Sequence, residues 1–139
     1  MSIVTVSLIE TPIPAGFPSP AADYQEKRID IAQYLVPHPI STFFVRTTGD
    51  SMINAFIPPL ALLIVDRSKS AHNGDIVVAV INGEFTVKFL RKNDLKCWLV
   101  PANRKYSETE ITAEMEFIIW GVVTYIVSNP KDLKNVCLP

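Results

Sequence analysis

A chain of 139 residues suits one compact domain, or one domain with a short appendage. Its 48% hydrophobic and 19% charged content supports a real core and excludes disorder over most of the length. Thirteen Lys and Arg against 14 Asp and Glu give a formal charge of −1, without the basic excess of a phosphate-neutralising protein, so direct sequence-specific DNA binding is not expected.

In chain order, the opening stretch MSIVTVSLIETPIP has neither a basic n-region nor an uninterrupted apolar segment, so it does not read as a signal peptide. Pro12, Pro14, Pro18, Pro20, Pro37 and Pro39 break long helices. Between them residues 21–35, AADYQEKRIDIAQYL, are predicted to carry one short helix, with Ile31, Tyr34 and Leu35 at helical offsets near its end. The remainder of a flexible, proline-rich arm over 1–41 is expected to be extended or irregular. From Thr42 the runs FFVRTT, LLIVD, DIVVAVI, EFTVKFL, KCWLV and FIIWGVVTYIV predict a mostly β domain over 42–139, a compact sheet or barrel. Asn73-Gly74 and Asn82-Gly83 are turn dipeptides, and the second predicts a hairpin from Asp75 to Leu90. The longest apolar run, Phe117 to Val127, is roughly half the ~20 residues that span a bilayer. Cys97 and Cys137 form no CxxC pair or Cys/His cluster, which indicates no disulfide framework, metal or cofactor and fits a reducing cytoplasm. The ending CLP is too short for a prenylation box, and the tail from 128 onward is given no role.

Three features carry chemistry. In Gly49-Asp50-Ser51-Met52, a serine after a glycine turn can project its hydroxyl while neighbouring amides face a developing oxyanion. In EFTVKFL, strand alternation puts Phe85, Val87 and Phe89 on one face and Thr86, Lys88 and Leu90 on the other. For Lys88 to act as a general base its pKa must fall far below the ordinary value of about 10.4, which only desolvation among apolar neighbours supplies. His38, between two prolines, and His72, beside Asn73-Gly74, read as surface loop residues, although the residues alone leave a Ser–His arrangement open. Asp66, Asp75 and Glu84 border strands and turns and read as solvated or capping groups. The third feature is Ala15-Gly16, a small residue followed by glycine, which threads readily into a protease cleft.

Together these features resemble the UmuD proteins of the LexA-like self-cleaving serine peptidases, the S24 family. The likeness runs from Gly16 to about Val127 through AGFPSPAADY, RIDI, HP, GDSMI, LLIVD, GDIVVAVINGEFTVK and LVPANRKYS. The resemblance implies Ser51 as nucleophile, Lys88 as general base, the Ser51 and Met52 amides as oxyanion donors, and Ala15-Gly16 as the bond cut. The intervals from Ala15 to Ser51, 36 residues, and from Ser51 to Lys88, 37 residues, are those expected of the family. It further implies a LexA/UmuD-like catalytic β domain that forms a homodimer, stimulation of self-cleavage by a RecA filament on single-stranded DNA, and a shortened product that joins UmuC, a Y-family polymerase, in error-prone synthesis past lesions.

One stretch departs from the family. Relatives carry an acidic, glycine-containing segment ending Asp-Gly-Asp where this chain has residues 54–61, NAFIPPLA. Loss of the glycines predicts a different backbone path beside the nucleophile, and Phe56, Ile57 and Leu60 suggest a contact patch for the polymerase or a dimer partner. If the loop abolishes cleavage, the alternative is a non-enzymatic polymerase accessory or decoy acting by dimerisation. A LexA-like repressor would need a helix-turn-helix unit for which the proline-rich 40 residues before the β region leave no room. A signal peptidase would need a membrane anchor.

Overall fold

The β-branched segment Thr5–Ile9 is strand β1, and it pairs antiparallel with β2, Glu26–Asp30, in a register that sets Thr5 opposite Asp30 and Ile9 opposite Glu26. The Arg28 guanidinium spans this pair, donating to the Thr5 carbonyl, Thr5 Oγ1 and Ser7 Oγ at 2.9–3.0 Å. The structure, a computed structural model, describes residues 3–10, 12–18 and 25–136. The chain divides into two compact units at Pro37 and His38.

The one short helix predicted within 21–35 is present at the end of that span. Residues 21–24 lie outside the described residues, Glu26–Asp30 is a strand, and helix α1 is confined to Ile31–Leu35. Cross-strand pairing with β1 overrides local helical preference up to Asp30. There the Asp30 carboxylate accepts from the Ala32 and Gln33 amides at 3.0 and 3.3 Å, capping the helix where the strand ends.

The second unit is one seven-stranded antiparallel sheet. Its strands are β3 (Thr42–Arg46), β4 (Leu62–Asp66), β5 (Ile76–Ile81), β6 (Glu84–Lys92), β7 (Cys97–Val100), β8 (Thr109–Glu110) and β9 (Phe117–Val127), in spatial order β3-β4-β9-β5-β6-β7-β8. Each predicted β run is a strand, and the two-residue β8 is an addition. The predicted hairpin is β5–β6, with Ile81 opposite Glu84. Its turn residues Asn82 and Gly83 both hold positive φ, 49° and 82°, as a two-residue turn between twisted strands requires.

Side-chain alternation gives the sheet two apolar faces. Leu63, Val65 and Val78 pack with Met52, Ile57 and Ala61 on one, and Val77, Ala79, Leu90, Leu99 and Val122 pack on the other. Strand β9, central to both, carries two bulges. Ile64 pairs with Tyr125 and Val65 with Val123, which leaves Thr124 over; its hydroxyl donates to the Ile64 carbonyl at 3.1 Å. Val78 pairs with Gly121 and Ala79 with Ile119, which leaves Trp120 over. Gly121 beside this second bulge makes a close approach, since a Cβ there would lie 2.5 Å from Val65 Cγ1 and force a shift.

One sequence expectation is corrected in this unit. Asp66 is not a solvated strand-end carboxylate: it is 3% exposed. It accepts from the Ser68 hydroxyl (2.7 Å), the Ser68 amide (2.8 Å) and the Ser41 hydroxyl (3.0 Å), and lies 2.8 Å from His38 Nδ1. The Ser68 hydroxyl first, and then His38, hold this carboxyl well below the usual carboxylate range. In the segment 54–61 Phe56 and Leu60 take φ of 64° and 66°, left-handed backbone held without glycine. Phe56 caps the 3-10 turn Ile53–Ala55 by donating its amide to the Ile53 carbonyl. Ile57 is buried in the core, so the expected contact patch reduces to Phe56 and Leu60, which are exposed.

Candidate active site

Gly49 ends the approach from β3 with φ of 76°, and the space around it is open, so the requirement for glycine is conformational. Ser51 and Met52 follow in a tight turn, with the Met52 side chain anchored in the core. That turn is braced from residues 102–106. The Ala102 amide donates to the Ser51 carbonyl at 2.8 Å, the Asn54 amide to the Ala102 carbonyl at 2.9 Å, and Asn103 Nδ2 to the Asp50 carbonyl at 3.0 Å. The Tyr106 hydroxyl donates to the Asp50 carboxylate at 2.6 Å, and that hydrogen bond pushes the phenol pKa up. Among the described residues, the amides of Ser51 and Met52 donate to no backbone carbonyl.

Lys88 comes from β6. Strand β7 pairs with Phe89 to Lys92 only, so the segment Thr86 to Lys88 has no β7 neighbour and the lysine side chain turns toward the nucleophile turn. Its Nζ lies 3.0 Å from Ser51 Oγ, 2.8 Å from Thr86 Oγ1 and 3.1 Å from the Val87 carbonyl. Burial pushes the Lys88 pKa below its ordinary value. A neutral amine has two N–H donors and one lone pair. With Thr86 Oγ1 and the Val87 carbonyl accepting its two N–H groups, a neutral Lys88 amine has its lone pair free to face Ser51 Oγ.

Ser51 and Lys88 line a cleft of about 420 Å³ whose apolar wall includes Val45, Ile57, Phe85 and Trp120. The two histidines are elsewhere: His38 binds Asp66, and His72, 3.8 Å from Asp75, is solvent-exposed. The open Ser–His alternative is thereby removed. Ala15 and Gly16 sit in an exposed bend of the first unit, and Cys137 lies outside the described residues. Sequence reasoning missed the Thr86 hydroxyl as a partner of Lys88, although its position two residues away on the same strand face was visible. It also missed the bracing by Asn103 and Tyr106, whose one sign was the PANRKYS motif.

The second unit thus brings a serine hydroxyl and a desolvated lysine into hydrogen-bond contact in one cleft, and comparison with known proteins gives the family. The Peptidase S24-like family model matches residues 7–124, and the chain belongs to that family. Within it the chain is UmuD-like. It is 42% identical to Protein MucA of Salmonella typhimurium over 124 residues, covering 88% of this chain and 84% of the relative. It is 42% identical to Protein SamA of Salmonella typhimurium over 127 residues (91% and 88%) and 40% identical to Protein ImpA of Escherichia coli over 120 residues (86% and 81%). Among the described residues no helix is long and apolar enough to cross a membrane.

Proposed function

We propose that the chain is a self-cleaving serine endopeptidase of the SOS response, with Ser51 as nucleophile, Lys88 as general base and Ala15-Gly16 as the scissile bond. The observation that carries this reading is the 3.0 Å approach of Ser51 Oγ to a half-buried lysine amine. Neutral Lys88 takes the hydroxyl proton as Oγ attacks the Ala15 carbonyl carbon. The Ser51 and Met52 amides stabilise the resulting oxyanion. Collapse breaks the bond to Gly16 and Lys88 returns the proton to the departing amine. A water, deprotonated by Lys88, then hydrolyses the acyl-serine. Because the substrate belongs to the same polypeptide, tethering rather than diffusion sets its local concentration.

In this reading the protein is a cytoplasmic homodimer, a RecA filament on single-stranded DNA shifts it toward the cleavage-competent state, and the shortened product becomes an accessory subunit of an error-prone UmuC-like Y-family translesion polymerase. The test is intact mass of the purified protein with and without that filament and ATP, beside Ser51→Ala and Lys88→Ala. Filament-stimulated loss of residues 1–15 in the wild type alone is the expected result. A wild-type chain that stays intact even at pH 10 would favour the non-enzymatic accessory reading, in which dimerisation and partner binding are all that remain.

A further inference from the structure

The bulge in β9 does more than relieve the sheet. Trp120 is its unpaired residue, and a bulge next to a cleft re-aims a side chain. The Trp120 ring meets Phe85 edge-on, with centroids 5.8 Å apart and planes at 90°, and meets Phe43 at 5.2 Å and 56°. Arg67 locks it from behind, its guanidinium 4.6 Å over the ring and its Nε donating to the Trp120 carbonyl at 2.9 Å. Gly121 follows, where a Cβ would crowd Val65. Backbone irregularity, a closely packed glycine and a cation thus hold one aromatic wall, yet Phe85 within it is 66% exposed. Phe85 and Trp120 line the same cleft as Ser51 and Lys88.

We infer that this wall is a side-chain subsite of the cleft, and that its occupant is Phe17, the second residue after the scissile bond. This rests on the self-cleavage reading above. In an extended peptide, residues two apart share a face and stand roughly 6.6 Å apart, so Phe17 projects on the same side as Ala15. Phe85 and Lys88 start from opposite faces of β6 yet both line the cleft that holds Ser51, so the aromatic wall adjoins a carbonyl held at Ser51. Phe17 is 93% exposed in its own unit, so it brings a full apolar surface to the cleft. Ile13, on the other side of Ala15 and 82% exposed, shares the strand face but lacks the ring that edge-to-face packing against Phe85 and Trp120 selects. The subsite therefore specifies an aromatic side chain on the leaving-group side of the cut.

A double-mutant cycle on the full chain tests this, with alkaline self-cleavage followed by intact mass. Phe17→Ala and Phe85→Ala should each slow cleavage about tenfold, and the double variant should be no slower than either alone. Ile13→Ala should combine multiplicatively with Phe85→Ala. Wild-type rates in Phe17→Ala, or multiplicative effects of Phe17→Ala and Phe85→Ala, would overturn the assignment. A second measurement stands apart from cleavage: titration of the peptide of residues 12–18, PIPAGFP, into a Ser51→Ala/Phe17→Ala/Trp98→Phe chain, read by Trp120 fluorescence. The peptide should perturb the emission and its alanine counterpart PIPAGAP should bind at least about fivefold more weakly. Equal binding of the two would refute the subsite, whereas an uncut wild type with discriminating binding would refute only the peptidase reading.

Discussion

Thr86 Oγ1 lies 2.8 Å from Lys88 Nζ, closer than Ser51 Oγ does at 3.0 Å, so the lysine is held by its own strand as firmly as it is engaged with the nucleophile. An acceptor at this position favours the ammonium over the amine. Thr86→Val should therefore move the alkaline pH–rate profile of self-cleavage to lower pH while lowering its plateau about tenfold, because the amine loses an orienting partner. Thr86→Ser should restore both. Rates by intact mass from pH 6 to 11 check this.

Lys88 should oppose folding stability near neutrality. Burial sets its folded pKa below the ordinary 10.5, so between those two values the unfolded chain binds more protons and stability rises with pH. Lys88→Met should raise Tm at pH 7 by about 2–4 °C, and the gain should shrink as the pH passes 10. Thermal melts at pH 7 and pH 10.5 measure it.

Asp66, by contrast, stabilises the fold near neutrality, although stability again rises with pH. Its folded pKa is depressed from an ordinary 3.8, so its contribution is present above about pH 4 and is lost as pH falls further. Asp66→Asn leaves the hydroxyls of Ser41 and Ser68 and the ring of His38 around a weaker acceptor, and should cost about 2–4 kcal/mol at pH 7. Urea denaturation at pH 7 and pH 3 should show the difference from wild type narrowing in acid.

Gly121→Ala should destabilise by about 1–3 kcal/mol, since Val65 is fully buried and has nowhere to move from a Cβ at 2.5 Å. In a Val65→Ala background the same change should cost clearly less. Chemical denaturation of the four chains of the cycle decides it.

What was legible in the sequence was what is local. Asn82-Gly83 encodes its turn by itself, and the hairpin of β5 and β6 follows. Lys88 and Ser51 could be matched by likeness to a family, but their 3.0 Å approach joins strand β6 to a turn 37 residues earlier, a matter of tertiary packing. The bounds of the short helix within 21–35 were not legible, because Glu26–Asp30 is held as a strand by a partner, Thr5–Ile9, some 20 residues earlier. Asp66 was misread because the groups that satisfy it come from His38, Ser41 and Ser68 on separate turns. Trp120-Gly121 did offer a sign, a glycine interrupting a β run, which marks bulges and close approaches.

The brace from residues 102–106 also orders events in time. A ribosome delivers the segment around Ala15 first and Ala102 87 residues later, roughly 4–17 s at ordinary elongation rates. Until then Ser51 has been made but lacks the backbone partners that shape the turn around it, and before residue 88 it has no amine at all. On the self-cleavage reading proposed above, a growing chain carries its intact arm through synthesis, and an arrested one of fewer than 102 residues keeps it.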